Sequence, residues 1–145
     1  MNRKRAQDIL ERAAQLSVVV TGDVCLDAYW SVDMRLSELS RETPHFTHPV
    51  VAERYSPGAG GNVLVNLKTL GAGKVIAATV LGDDWRGRLL TSLLEKAGID
   101  CSRTFLSPAW TTTAFIKPML RGYEEHTAQE APRFDFVNKA EAAPA

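Results

Sequence analysis

Residues Ser17 to Thr21 include three successive β-branched residues, Val18, Val19 and Val20, and the run is closed by Gly22. A continuous apolar stretch of this length leaves neither face polar. It therefore predicts a strand covered on both sides in a parallel sheet, not the half-exposed strand of an antiparallel one. Just before it, Ile9, Leu10, Ala13, Ala14 and Leu16 fall at helical spacing with charges opposite, which predicts a short amphipathic helix from Ala6. A helix followed by an inner strand restricts the chain to an α/β architecture.

The same alternation recurs downstream. Gly58, Ala59, Gly60 and Gly61 form a turn, and Asn62 to Leu70 sets Val63, Leu64, Leu67 and Leu70 on one side of a helix that stops at Gly71. Lys74 to Leu81 is a mostly apolar strand closed by Gly82. Asp83 and Asp84 then favour the start of a helix running to about Ala97, with Trp85, Leu89, Leu90, Leu93, Leu94 and Ala97 as its inner face and Gly98 as its stop. Short strands follow at Cys101 to Leu106 and Thr111 to Leu120. Arg121 to Arg133 reads as a polar turn before Phe134 and Phe136, and Asn138 to Ala145 as a linker or a cut.

Between these units the texture changes. The segment from about residue 28 to 57 holds Tyr29, Trp30 and Val32, then loosely alternating residues interrupted by Pro44 and Pro49. Proline cannot donate to a sheet ladder, so this segment is expected to form edge strands of a small exposed β-flap.

The 145 residues fit one compact domain. Lys plus Arg and Asp plus Glu number 17 each, so no global field directs the chain to nucleic acid or an anionic membrane. Cys25 and Cys101 stand far apart without a second pair, which fits neither a disulfide framework nor a zinc site and suggests a reducing, cytoplasmic setting. The basic start, Asn2 to Arg5, is followed by Asp8, Glu11 and Arg12, so it lacks the apolar centre of a signal peptide.

Two places could carry chemistry. The turn from Gly58 to Asn62 opens a helix, where free backbone N–H groups and the positive dipole end can hold an anion or a ring of hydroxyls. Asn62 adds a donor and an acceptor suited to a polyol, or else serves as a helix cap. Asp23 and Asp27 follow the first inner strand, at the sheet end where α/β folds bind ligands. Asp27 can accept sugar hydroxyls, and Asp23 reads more as a turn residue beside Gly22 than as a ligand. His45 and His48 lie three apart on an extended flap, hence on opposite faces, and no third ligand suggests a metal site. Cys25 is expected to be a buried apolar residue. A dinucleotide fingerprint would place its glycines directly after the first strand, whereas here they follow the flap; no P-loop motif is present.

The segments Gly22-Asp23-Val24-Cys25-Leu26-Asp27, Gly58-Ala59-Gly60-Gly61-Asn62, Leu70-Gly71-Ala72 and Val80-Leu81-Gly82-Asp83-Asp84-Trp85-Arg86-Gly87 together resemble the first half of the PfkB carbohydrate kinases. Leu26 to Trp30, Leu39-Ser40-Arg41-Glu42-Thr43-Pro44 and Arg133-Phe134-Asp135-Phe136 are similar to the heptose-phosphate kinase branch. Ala59 stands where the family usually has a second glycine, and Leu64 where a small residue is common.

The resemblance implies a ribokinase-like three-layer α/β sandwich with a β-flap lid, and a sugar or sugar phosphate bound by Asp27, Gly58, Gly60, Gly61 and Asn62. It also implies ATP and Mg2+ for the full-length family, and pairing of lids into a homodimer. The family's catalytic Asp belongs to a second glycine-rich motif that this sequence does not contain, so no catalytic residue is expected here and no turnover by this chain alone. The alternative expectation is a noncatalytic interaction module derived from a sugar kinase. Lys117 is expected as an exposed strand-end lysine, with contact to a phosphate as its other reading.

Overall fold

A computed structural model describes residues 2–122 and 127–139. The first helix, α1 (Arg3–Ala13), is capped by Asn2, whose side chain accepts from the Arg5 N–H. Strand β1 (Ser17–Thr21) then pairs in parallel with β4 (Lys74–Gly82), which pairs in parallel with β5 (Asp100–Ser107), giving a three-stranded sheet in the order β1-β4-β5.

The second sheet is larger than a hairpin flap. Strand β2 (Val24–Asp33) lies between antiparallel β3 (Val50–Ala59) and parallel β6 (Ala114–Arg121), and β6 also takes up β7 (Gln129–Glu130) and β8 (Phe134–Phe136). The expectation of edge strands holds for β3, which carries Pro57, but not for β2, which is paired on both sides. Pro44 and Pro49 fall in the connection between the two strands, where their missing N–H costs nothing. His45 and His48 lie in that connection too, not on a strand.

Helix α2 (Gly60–Thr69) joins β3 to β4, and helix α3 (Trp85–Lys96) joins β4 to β5. Leu64 of α2 and Leu90 and Leu94 of α3 meet Val75, Ala77 and Leu81 of β4. Leu26 and Ala114, from the other sheet, close the same core. Burying each of these leucines stabilises the fold by about 2 kcal/mol, so one core fixes both sheets.

Three expectations of burial are corrected. Val18 and Val20 pack on the core but Val19 is 58% exposed, because only one face of the β1-β4-β5 sheet is covered by helices. On the bare side, Phe105 of β5 is 72% exposed. Val63 and Leu70 of α2, and Trp85 at the start of α3, face solvent, so the inner stripe of each helix is narrower than its apolar spacing suggests. Helix α1 buries none of its residues. The polar stretch after β6 includes β7; its residues 123–126, like 140–145 of the expected linker, lie outside the described residues.

The two sheets are tied at defined points. The chain crosses from β1 to β2 through Gly22, whose φ of 122° is rarely adopted by a residue with a side chain. Entry into β6 is fixed by fully buried Thr112: its Oγ accepts from the Gly82 N–H at 2.8 Å, and its own N–H donates to Asp84 Oδ2 at 3.1 Å. Asp84 also caps α3 by accepting from the Gly87 N–H at 2.9 Å. Burial works against charge on Asp84, but the N–H of Gly87, the Arg86 guanidinium and the N–H of Thr112 outweigh it and hold the carboxyl below its usual range.

Candidate sugar site

Alternation along β2 puts Leu26 and Ala28 in the core and Asp27 and Tyr29 on the opposite face. The antiparallel register brings β3 back so that Gly58 lies opposite Cys25, and Ser56 opposite Asp27. Gly58 has no room for a side chain: a Cβ there would lie 2.6 Å from Asp27 Oδ2 and 2.7 Å from Cys25 Sγ. One step on, the Gly60 N–H donates to the Asp23 carbonyl at 2.9 Å, pinning the opening of α2 to the end of the β1–β2 crossing. A Cβ on Gly61 would lie 2.6 Å from the Pro57 Cβ and 3.2 Å from a Val24 methyl. The glycine turn and the acidic strand thus form one neighbourhood.

The N–H groups of Gly61 and Asn62 have no intrahelical acceptor at this position, and they sit at the positive end of α2. Asn62 is not the cap. That position belongs to Ala59, which offers no side-chain bond, so Asn62 occupies the first turn with an exposed side chain. No hydrogen bond joins Asn62 to Asp27 among the described residues.

Ala59 has φ 49° and ψ −122°, a conformation in which a Cβ is strained. Relief of that strain should exceed the extra backbone entropy of glycine, so Ala59→Gly is expected to raise unfolding free energy by about 1 kcal/mol. Urea denaturation checks this; an unchanged or lowered midpoint would show that the turn is not under strain.

Beside the turn opens a cleft of about 390 Å³, lined in part by Asp23, Cys25, Ala59, Trp110, Phe115 and Asn138. Asp27, Gly58, Gly60, Gly61 and Asn62 do not line it; Asp27 lies beyond Cys25, further along β2. Cys25 is buried, as expected, and burial followed by the nearby Asp27 charge pushes its thiol up to about 11.

The largest correction concerns Lys117. It is not an exposed strand-end lysine: in the middle of β6, directly opposite Tyr29, its ammonium donates to Asp27 Oδ1 at 2.8 Å and to the Tyr29 hydroxyl at 3.2 Å. Both charged side chains are largely buried, 17% exposed for Lys117 and 15% for Asp27. The hydrogen bond to Asp27 raises the Lys117 pKa above its ordinary value, against an opposing contribution from burial. Arg54 covers the Tyr29 ring with its guanidinium 4.0 Å from the centroid, and Arg133 covers Phe115 at 4.8 Å. The face that presents Asp27 is therefore rich in cations.

The family model described as pfkB family carbohydrate kinase matches residues 15–118. The chain belongs to the pfkB family. It is 34% identical over 113 residues to the bifunctional protein HldE of Trichlorobacter lovleyi, covering 77% of this chain and 22% of that relative. To the HldE protein of Geobacter sulfurreducens it is 32% identical over 145 residues, covering 99% of this chain and 28% of the relative. The chain thus spans about a quarter of the length of these curated relatives.

Among solved structures, Arabidopsis thaliana ribokinase complexed with ribose and ATP superimposes with a TM-score of 0.61 at 17% identity, covering 84% of this chain and 36% of that one. A nucleoside kinase from Methanocaldococcus jannaschii, an archaeal member of the ribokinase family, gives 0.57 at 17% identity, covering 84% and 37%. These likenesses establish the ribokinase-type fold for this pfkB chain. Among the described residues no group of three His, Cys, Asp or Glu side chains is placed to hold a metal ion. No described helix is long and apolar enough to cross a membrane.

Proposed function

We propose that this chain is the acceptor-binding portion of an ATP-dependent carbohydrate kinase that phosphorylates a sugar hydroxyl, with a heptose phosphate as the acceptor. The observation that supports it most is the direct apposition of the Asp27 carboxylate and Gly58, at the entry to a helix whose Gly61 and Asn62 N–H groups have no intrahelical acceptor. In this reading Asp27 accepts from sugar hydroxyls, and the opening of α2 and Asn62 donate to sugar oxygens. Arg54 and Arg133 suit a phosphorylated acceptor by charge.

ATP and Mg2+ would supply the phosphoryl group and neutralise its charge. No residue of this chain is assigned to hold them, and no group here acts as the base. Alone, the chain is expected to bind acceptor without turnover. The sheet of β2, β3 and β6 to β8 serves as the lid that shields the acceptor from water. Its outer face, with Val50, Phe134 and an apolar groove of about 390 Å³ beside Trp30 and Pro118, is the surface through which two lids pair in a cytoplasmic homodimer.

Isothermal titration with ribose and with a heptose phosphate tests the reading. Saturable heat with the heptose phosphate supports it, and heat with ribose alone would keep the sugar site but remove the heptose phosphate as acceptor. Silence from both would leave the noncatalytic interaction module, for which that lid surface is the supporting observation. ADP release that depends on added sugar would refute the expected lack of turnover.

A further inference from the structure

A carboxylate on a strand turns about a soft terminal torsion unless something fixes it. The two oxygens of Asp27 have different surroundings. Oδ1 accepts from Lys117 Nζ at 2.8 Å, whereas Oδ2 faces the backbone of Gly58, so closely that a Cβ there would lie 2.6 Å from it. Lys117 is itself held by the Tyr29 hydroxyl at 3.2 Å, with its ammonium 4.7 Å from the Tyr29 ring centroid. Arg54 closes over that ring, so the lysine sits in a preformed seat and not on a free stem. Withdrawal from water strengthens the pair and makes its geometry matter.

We infer that Lys117 is a positioning residue: by anchoring one oxygen of Asp27 it keeps the other turned toward Gly58, at the end of β3 that leads into α2, ready for a sugar hydroxyl. The inference rests on Asp27 being a sugar ligand. Preset orientation spares the ordering cost that a mobile carboxylate would bear on binding.

The test is calorimetric titration of the whole chain with ribose and with a heptose phosphate, using wild type, Lys117→Met, Lys117→Arg, Asp27→Asn and the double variant Asp27→Asn with Lys117→Met. Lys117→Met is expected to weaken, about tenfold, whichever sugar the wild type binds, and Lys117→Arg to recover most of the loss. In the Asp27→Asn background, Lys117→Met is expected to add nothing further. If Lys117→Met melts early, Lys117→Gln carries the same expectation.

Unchanged affinity in Lys117→Met, or equal losses in both backgrounds, would overturn the positioning role. A loss confined to the phosphorylated sugar would overturn it too, by showing that Lys117 meets the phosphate itself. If the wild type binds neither sugar, the sugar-site reading fails and takes this inference with it.

Discussion

Gly87→Ala is expected to cost about 3 kcal/mol or more of stability, a large part of what a domain of this size possesses. A Cβ on Gly87 would sit on the Gly82 carbonyl oxygen and 2.8 Å from Thr112 Oγ. Neither neighbour is the far end of a flexible side chain. The carbonyl is backbone at the end of β4, and the hydroxyl is the buried partner of the Gly82 N–H. Accommodation requires α3 to lift, which strains the core at Leu90, or Thr112 to move, which leaves a buried N–H unpaired at about 1–3 kcal/mol. Urea unfolding followed by circular dichroism reads the effect, with Arg88→Ala on the exposed side of the same turn as the control. Equal midpoints for Gly87→Ala and wild type would mean that α3 does not press on the β4 terminus as described.

Asp27→Asn is expected to weaken sugar binding about a hundredfold and also to lower the melting temperature, because Lys117 keeps a largely buried charge without its partner. The amide keeps the carboxylate's shape but loses its charge, and a charge-assisted hydrogen bond to a hydroxyl accounts for about 3 kcal/mol. Gly58→Ala should approach the same loss without deleting any polar group, because the added methyl would crowd Asp27 Oδ2 and Cys25 Sγ together. Titration of both variants alongside their melting curves separates binding from stability. Wild-type affinity in Asp27→Asn would remove that carboxylate from the site.

How far the sequence reading reached follows from which interactions are local. The glycine turn, the α2 and α3 helices and the β4 and β5 strands are encoded by short-range periodicity and stop signals, and they lie close to the expected positions. The place of Asp27, on the strand after β1, was legible because it falls within a short motif. Lys117 was not, since its partner is ninety residues away and nothing in β6 reveals which strand it will pair with.

A partial signal existed. Phe115 and Lys117 alternate with apolar Ala114 and Ile116, which places the lysine on a definite face once β6 is known to be internal. The reading of Asn62 as a cap failed for a local reason: with glycine at positions 60 and 61, the chain enters the helix earlier than the side chain that could have capped it. The covered β1 strand was misjudged because an apolar run reports hydrophobicity on both faces, not whether both faces find a partner.

The way the second sheet is attached limits how it can move. Two of its three junctions, at Asp23 and Gly60, are stitched to each other, and the third is clamped at Thr112 by Gly82 and Asp84. Leu26 and Ala114, close to these junctions, are buried in the shared core, so this end of the second sheet is held to the frame by packing as well as by hydrogen bonds. The Asp27 carboxylate belongs to that sheet while the start of α2 belongs to the frame, so the tie between Asp23 and Gly60 sets the distance between them.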